Sequence, residues 1–163
     1  MGIISGTAGC EWLEDDRHIN RALAPPDAVG VWLPSEGALS GLREFKKFKL
    51  TDPAHHRIEL LPDGKCHYRS HWQYSYVDRQ DPESDSYYNT HNCKWTLGTV
   101  PGRVKGRMRD APALLFRLKE GSKGIDTFFF VHERRDQLIL WRNIGEPDRK
   151  QYMEFRKVPE RKP

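Results

Sequence analysis

The sequence predicts an all-β protein, an antiparallel meander of about eight strands that closes into an up-and-down barrel. Short runs rich in β-branched, aromatic and leucine residues alternate with polar or Gly-bearing breaks over 114–158. Pro62-Asp63-Gly64 supplies hairpin turn residues, and apolar residues alternate with polar ones after it. Closure would satisfy the sheet edges and enclose side chains or one small ligand. A two-sheet sandwich is the alternative that the same pattern allows.

The predicted strands follow one another along the chain, with one short helix after the first strand. The helix is predicted over 36–48, because Leu39, Leu42 and Phe45 recur at a spacing of three. Ser35 is a suitable residue to cap it. The predicted strands are 28–34, 56–61, 65–74, 92–98, 113–119, 125–133, 137–142 and 151–158.

A chain of 163 residues is expected to form one domain with one core. We assign residues 1–27 to a polar N-terminal lead-in, with a short helix over 11–23, and residues 28–163 to the barrel domain. The segments 77–91 and 100–109 are predicted loops, because they are polar or rich in glycine and too long for tight hairpins.

The composition indicates a basic protein without a membrane-spanning helix. There are 27 Lys and Arg against 23 Asp and Glu, which gives a formal net charge of +4 and a pI near 9.0. The positive field that this net charge produces permits an acidic partner. It is too weak to indicate nucleic acid, so no nucleic-acid binding is predicted. No apolar run approaches the roughly 18 residues that a membrane span needs.

The N-terminus allows two interpretations of localisation. As written it has no secretory signal, since its apolar part is too short, and a cytoplasmic protein is expected. However, Cys10 follows the small residues Thr7, Ala8 and Gly9, as in the end of a bacterial lipoprotein signal. If Cys10 is a lipidation site, the protein is instead a lipoprotein of the cell envelope.

The cysteine and histidine patterns predict no metal site, and no cofactor is expected. Cys10, Cys66 and Cys93 lack the paired spacing of zinc ligands. Cys66 and Cys93 fall on the apolar faces of consecutive predicted strands, either as two buried thiols or as a cross-strand disulfide. His67 and His71, four apart on a strand, are separated by about 13 Å. No catalytic or phosphate-loop motif is present in the sequence, so an enzyme is not expected.

Several short motifs together resemble small bacterial lipocalin-like (calycin-type) barrel proteins, mostly uncharacterised and some of them lipoproteins. Gly30-Val31-Trp32 is similar to the G-x-W signature of the first lipocalin strand. The resemblance implies an Arg near that Trp, for which Arg142 and Arg156 are the candidates. The further motifs are Pro62-Asp63-Gly64-Lys65, Cys93-Lys94-Trp95-Thr96-Leu97, Gly145-Glu146-Pro147-Asp148 and the final Phe155-x-Lys157.

The resemblance implies a non-enzymatic lipocalin-like protein that holds a small apolar or amphipathic ligand in its barrel. Such a protein would contain an internal cavity of a few hundred Å³. The alternative is a protein-binding module, such as an immunity or inhibitor protein, that acts through loops and strand ends. The aromatic residues expected to line a ligand site are Tyr68, Trp72, Trp95, Phe116, Phe128, Phe130 and Trp141.

Overall fold

The protein folds as a closed barrel of eight strands in the order β1 to β8, each antiparallel to its neighbours. The structure, a computed structural model, describes residues 19, 21–37, 56–71, 87–104, 107–143 and 152–159. The closed strand order confirms the predicted up-and-down barrel, and the alternative of a two-sheet sandwich is wrong. In chain order the elements are α1 (Pro25–Ala28), β1 (Gly30–Pro34), β2 (Arg57–Leu60), β3 (Lys65–His71), β4 (Tyr87–Val104), β5 (Arg107–Arg117), β6 (Thr127–Arg134), β7 (Gln137–Asn143) and β8 (Tyr152–Lys157).

β4 and β5 are longer than predicted, and they include residues that we had assigned to loops. Residues 87–91 and most of 100–109 are strand, whereas 77–86, 105 and 106 lie outside the described residues. The ladder of β4 and β5 continues to Val104 opposite Arg107, beyond the last pair that β5 makes with β6. Glycine and basic residues indicated a loop here, but a strand whose edge is not paired tolerates glycine.

The residues before β1 help to close one end of the barrel. α1 starts at Pro25 and Pro26, since proline is well tolerated in a first helical turn. The Trp32 indole donates to the Ala28 carbonyl, and Ile19 belongs to the same core as Trp32. The lead-in therefore contributes to the barrel core rather than preceding it.

The helix predicted over 36–48 begins after β1, where Glu36 and Gly37 are helical. Its remaining residues lie outside the described part of the chain, as do most of those in the helix predicted over 11–23. No helix among the described residues has the length and apolar character needed to cross a membrane.

The residue of β8 that is paired with Trp32 is a lysine. Trp32 is the register partner of Lys157, whereas Arg156 is opposite Leu33. Arg142 is on β7, which pairs with β8 and not with β1 among the described strands. The Lys157 ammonium donates to the Asp27 carbonyl at 3.0 Å and so ties β8 to α1.

The interior of the barrel contains a line of aromatic rings in edge-to-face contact. Tyr68 is 5.3 Å from Phe116 between ring centroids, Phe116 is 6.0 Å from Phe129, and Phe129 is 5.5 Å from Phe155. All four side chains are buried. Such pairs add about 0.5–1.5 kcal/mol each to the free energy gained by burial. The described part of the interior is thus occupied by side chains.

Candidate functional site

The described members of the seven aromatic residues predicted to line an internal ligand site lie on both faces of the sheet. Tyr68, Trp95 and Phe116 face the interior and belong to the packed core. The side chains of residues 128–130 alternate between the two faces of the sheet, and Phe129 is the one that faces inward. The half-buried side chains of Phe128, Phe130 and Trp141 lie on the outer face, and Trp72 lies outside the described residues.

A small polar cluster lies within the barrel wall near Tyr68. The Arg142 guanidinium donates to the Thr127 hydroxyl, and it lies 5.0 Å from the centroid of the Phe128 ring. His56 and Ser70, both buried, are hydrogen-bonded at 3.1 Å. Burial lowers the pKa of Arg142 and raises that of Tyr68, because desolvation disfavours their charged forms. The cluster therefore places a guanidinium beside a buried phenol.

The outer face of three neighbouring strands carries three cations directly opposite one another. Lys65 on β3 is the register partner of Lys94 on β4, which is also the partner of Arg117 on β5. Directly opposite side chains on a sheet have Cβ atoms about 5 Å apart, and like charges there are destabilising. We call Lys65, Lys94 and Arg117 the basic row. The basic row therefore places like charges where they oppose the pairing of the three strands.

The basic row borders an open cleft of about 420 Å³. We call it the basic cleft. It lies between the start of β4 and the chain that joins β5 to β6. Its lining carries several positive side chains and one carboxylate, that of Glu120. The lining residues are Lys65, His91, Asn92, Cys93, Lys94, Arg117, Lys119, Glu120, Gly121 and Ser122.

The hairpin between β2 and β3 is fixed so that Lys65 reaches the cleft. Gly64 adopts a φ of 79°, which a residue with a side chain rarely does. The Asp63 carboxylate accepts from the Lys65 backbone N–H at 3.0 Å, and the Lys65 ammonium lowers the pKa of Asp63. On β4, the Trp95 backbone N–H donates to the Gly64 carbonyl and its indole N–H donates to the Leu61 carbonyl. The turn is therefore attached to the strand that carries Lys94.

The other wall of the basic cleft is a loop organised by Asp126. One oxygen of the Asp126 carboxylate accepts from the backbone N–H groups of Leu118 at 2.7 Å and Lys119 at 3.1 Å. The other oxygen accepts from the Ser122 hydroxyl, and the Asp126 backbone N–H donates to the Phe116 carbonyl. One side chain thus holds the segment that places residues 119–122 along the cleft.

Replacing Asp126 with alanine should open this wall while leaving the barrel folded. Asp126→Ala leaves backbone donors of Leu118 and Lys119 without their acceptor, which we expect to cost about 1–3 kcal/mol. Hydrogen exchange should accelerate at residues 118–122 and stay unchanged in β7. Asp126→Asn retains one acceptor oxygen, so its exchange rates at residues 118–122 should lie between those of the wild type and those of Asp126→Ala. Equal acceleration in β7 would show that Asp126 supports the whole barrel.

A second, smaller depression of about 90 Å³ extends the positive surface onto β2 and β3 and shares His91 with the basic cleft. Arg57 and Arg69 are register partners, another pair of like charges. Glu59 lies 3.7 Å from Arg57 and 3.4 Å from His67, so it offsets part of this charge. We call this surface, together with the basic cleft, the basic face.

The basic face presents several positively charged side chains on the outer side of β2 to β5. Among the residues that the structure describes, no group of three or more His, Cys, Asp and Glu side chains could hold a metal ion. The sequence predicted that Lys94 faces outward, but not that it meets Lys65 and Arg117. Each cation occupies an ordinary outward position on its own strand, and only the strand register places the three side by side.

The fold and this surface define a closed up-and-down β-barrel with a filled interior, in its described part, and a basic outer cleft. No family model, no curated protein and no solved structure matches the chain. Function is therefore inferred from the geometry of this molecule.

Proposed function

We propose that this protein is a non-enzymatic binding module that attaches to an acidic protein partner through its basic face. The observation that carries the proposal is the basic row. Repulsion between three cations held in register on adjacent strands opposes folding, and an anion bound to them would offset that repulsion. Among the described residues, Lys94 and Arg117 make no ion pair, whereas Lys65 is 3.0 Å from Asp63.

The shape of the basic face favours a macromolecular partner. Its two depressions cover the outer side of β2 to β5, a width of three strand spacings or about 14 Å. The cleft itself lies at strand ends and a loop. A surface of this kind suits the polar part of a protein–protein interface, where charge complementarity accelerates association.

The interior is a weaker candidate for the binding site. A small apolar or amphipathic ligand there would have to displace rings such as Phe116 and Phe129, which are fully buried and in mutual contact. The predicted internal site also depends on Phe128, Phe130 and Trp141, which lie on the outer face. The geometry therefore supports the protein-binding hypothesis better.

The proposal predicts that an acidic probe binds through Lys94 and Arg117. A fluorescein-labelled 12-residue glutamate-rich peptide should bind the wild type in a salt-dependent manner. Lys94→Ala with Arg117→Ala should weaken binding about tenfold, which corresponds to about 1.4 kcal/mol. Fluorescence anisotropy measures this change.

The matched control removes the same net charge elsewhere. Arg107 and Arg134 are exposed and line neither depression, so Arg107→Ala with Arg134→Ala should change the peptide affinity less than twofold. If the two double variants lose affinity equally, binding reflects overall charge, and the basic face is not the site.

A further inference from the structure

We infer that the acidic group that enters the basic cleft is a phosphate, carried by a larger molecule, and not a carboxylate. The inference rests on the proposed function for the location of the site and specifies the chemistry of the ligand. It follows from the number of cations around the cleft, from their spacing and from the size of the cleft.

The number of cations exceeds what one carboxylate can neutralise. Lys65, Lys94, Arg117 and Lys119 all line the cleft, against Glu120 in the lining and Asp63, which lies 3.0 Å from the Lys65 ammonium, so the positive charges still outnumber the negative ones. A carboxylate carries a single negative charge. A phosphate monoester carries about −1.5 to −2 at pH 7 and has three strong acceptor oxygens. It can therefore be contacted by several cations at once.

The spacing of the basic row fits an anion of this type. Lys94 lies between Lys65 and Arg117 in the register, with about 5 Å between neighbouring Cβ atoms. One anion above Lys94 would be within reach of the flexible side chains on both sides. The planar guanidinium of Arg117 can bind two phosphate oxygens with two parallel N–H bonds.

The cleft is larger than a phosphate and offers neutral donors as well. A volume of about 420 Å³ lies within the range of small-molecule pockets, roughly 300–1,000 Å³. The Asn92 amide and the Gly121 backbone lie along its wall and can contact the group that carries the phosphate. Because the proposed function is attachment to a protein, that carrier is a phosphorylated side chain of the partner, and a free phosphorylated compound such as a nucleotide is the alternative that the test distinguishes.

The test compares two peptides of identical sequence except for one phosphoserine or glutamate. The phosphoserine peptide should bind the wild type at least tenfold more tightly. Arg117→Lys keeps the charge but loses the paired N–H donors, so it should reduce this preference severalfold and leave glutamate-peptide binding within about twofold. Lys123→Ala is the surface control, because Lys123 lies outside the cleft lining, and it should leave the affinity for both peptides unchanged within about twofold.

The outcomes of this test distinguish a failure of the phosphate inference from a failure of the proposed function. Equal affinity for the phosphoserine and glutamate peptides would overturn the phosphate inference and leave the proposed function standing. Failure of both peptides to bind would overturn both. Titration with pyrophosphate and with ADP distinguishes the source. Affinity equal to that of the phosphopeptide indicates a free phosphorylated compound, whereas much weaker binding indicates a phosphorylated protein partner.

Discussion

Phe129→Ala should destabilise the barrel by about 3–5 kcal/mol, the range for removing a buried phenylalanine ring. The Phe129 side chain has no solvent exposure and lies between the rings of Phe116 and Phe155. Its removal leaves a cavity in the middle of the aromatic line, and two edge-to-face contacts are lost with it. Urea denaturation at neutral pH measures the loss through the transition midpoint at constant slope.

The adjacent residue provides the control for this prediction. Phe128 is half-buried on the outer face, where it contacts Phe130 at 5.3 Å between ring centroids. Phe128→Ala should cost about 1 kcal/mol, because the lost area is partly exposed already. A greater loss for Phe128→Ala than for Phe129→Ala would mean that Phe128 lines the interior, as the sequence-based assignment of a ligand site required.

The fold could be predicted from the sequence wherever polar residues mark the solvent side of a strand. Along β3, Cys66 and Tyr68 alternate with His67 and Arg69, so their inward orientation was expected and is confirmed. The turn at residues 62–64 was identified by the same local chemistry. These features depend on neighbours in sequence, which a single chain displays directly.

The inward face of β6 could not be predicted, because Phe128, Phe129 and Phe130 are all apolar. No polar residue in that run distinguishes the two sides. The orientation is set by the register with β5, where Leu114 lies opposite Phe129 and both face the core. A shift of one residue would reverse it. Register is a long-range property, and the aromatic content of the run was not sufficient to assign it.

The basic cleft could not be predicted for a related reason. Its cations come from β3, β4, β5 and the following loop, and each occupies an ordinary outward position on its own strand. The loop wall depends on Asp126, which accepts hydrogen bonds from residues up to eight positions earlier. An isolated aspartate near a strand start carries no sequence signal for that role. The site is a product of strand pairing.

Removal of the disulfide should cost about 3.5 kcal/mol, the second large effect that we expect. Cys66 and Cys93 are bonded across β3 and β4, which resolves the two interpretations that the sequence allowed. The bond closes a loop with a sequence separation of 27 residues. In the chain-entropy account, constraining such a loop in the unfolded state contributes about 3.5 kcal/mol. Denaturation of Cys66→Ala with Cys93→Ala, compared with the oxidised wild type, measures it.

A matched control separates the bond from the packing of the sulfur atoms. The reduced wild type keeps both side chains, so it should lose most of the stability that the double variant loses. Both cysteines are buried, and a reductant should therefore act mainly on molecules that unfold transiently. If the reduced wild type is as stable as the oxidised one, the bond itself contributes little.

The position of the disulfide also connects stability to binding. The Cys66–Cys93 pair is the immediate neighbour of Lys65–Lys94 in the register, and the ladder is irregular between Cys66 and Tyr68. The bond therefore holds two like charges together beside an irregularity in the hydrogen-bonded ladder. Without it, we expect the repulsion between the two ammonium groups to separate the strands locally. The folded double variant should then bind the phosphoserine peptide more weakly than the wild type, whereas unchanged affinity would show that backbone pairing alone maintains the basic row.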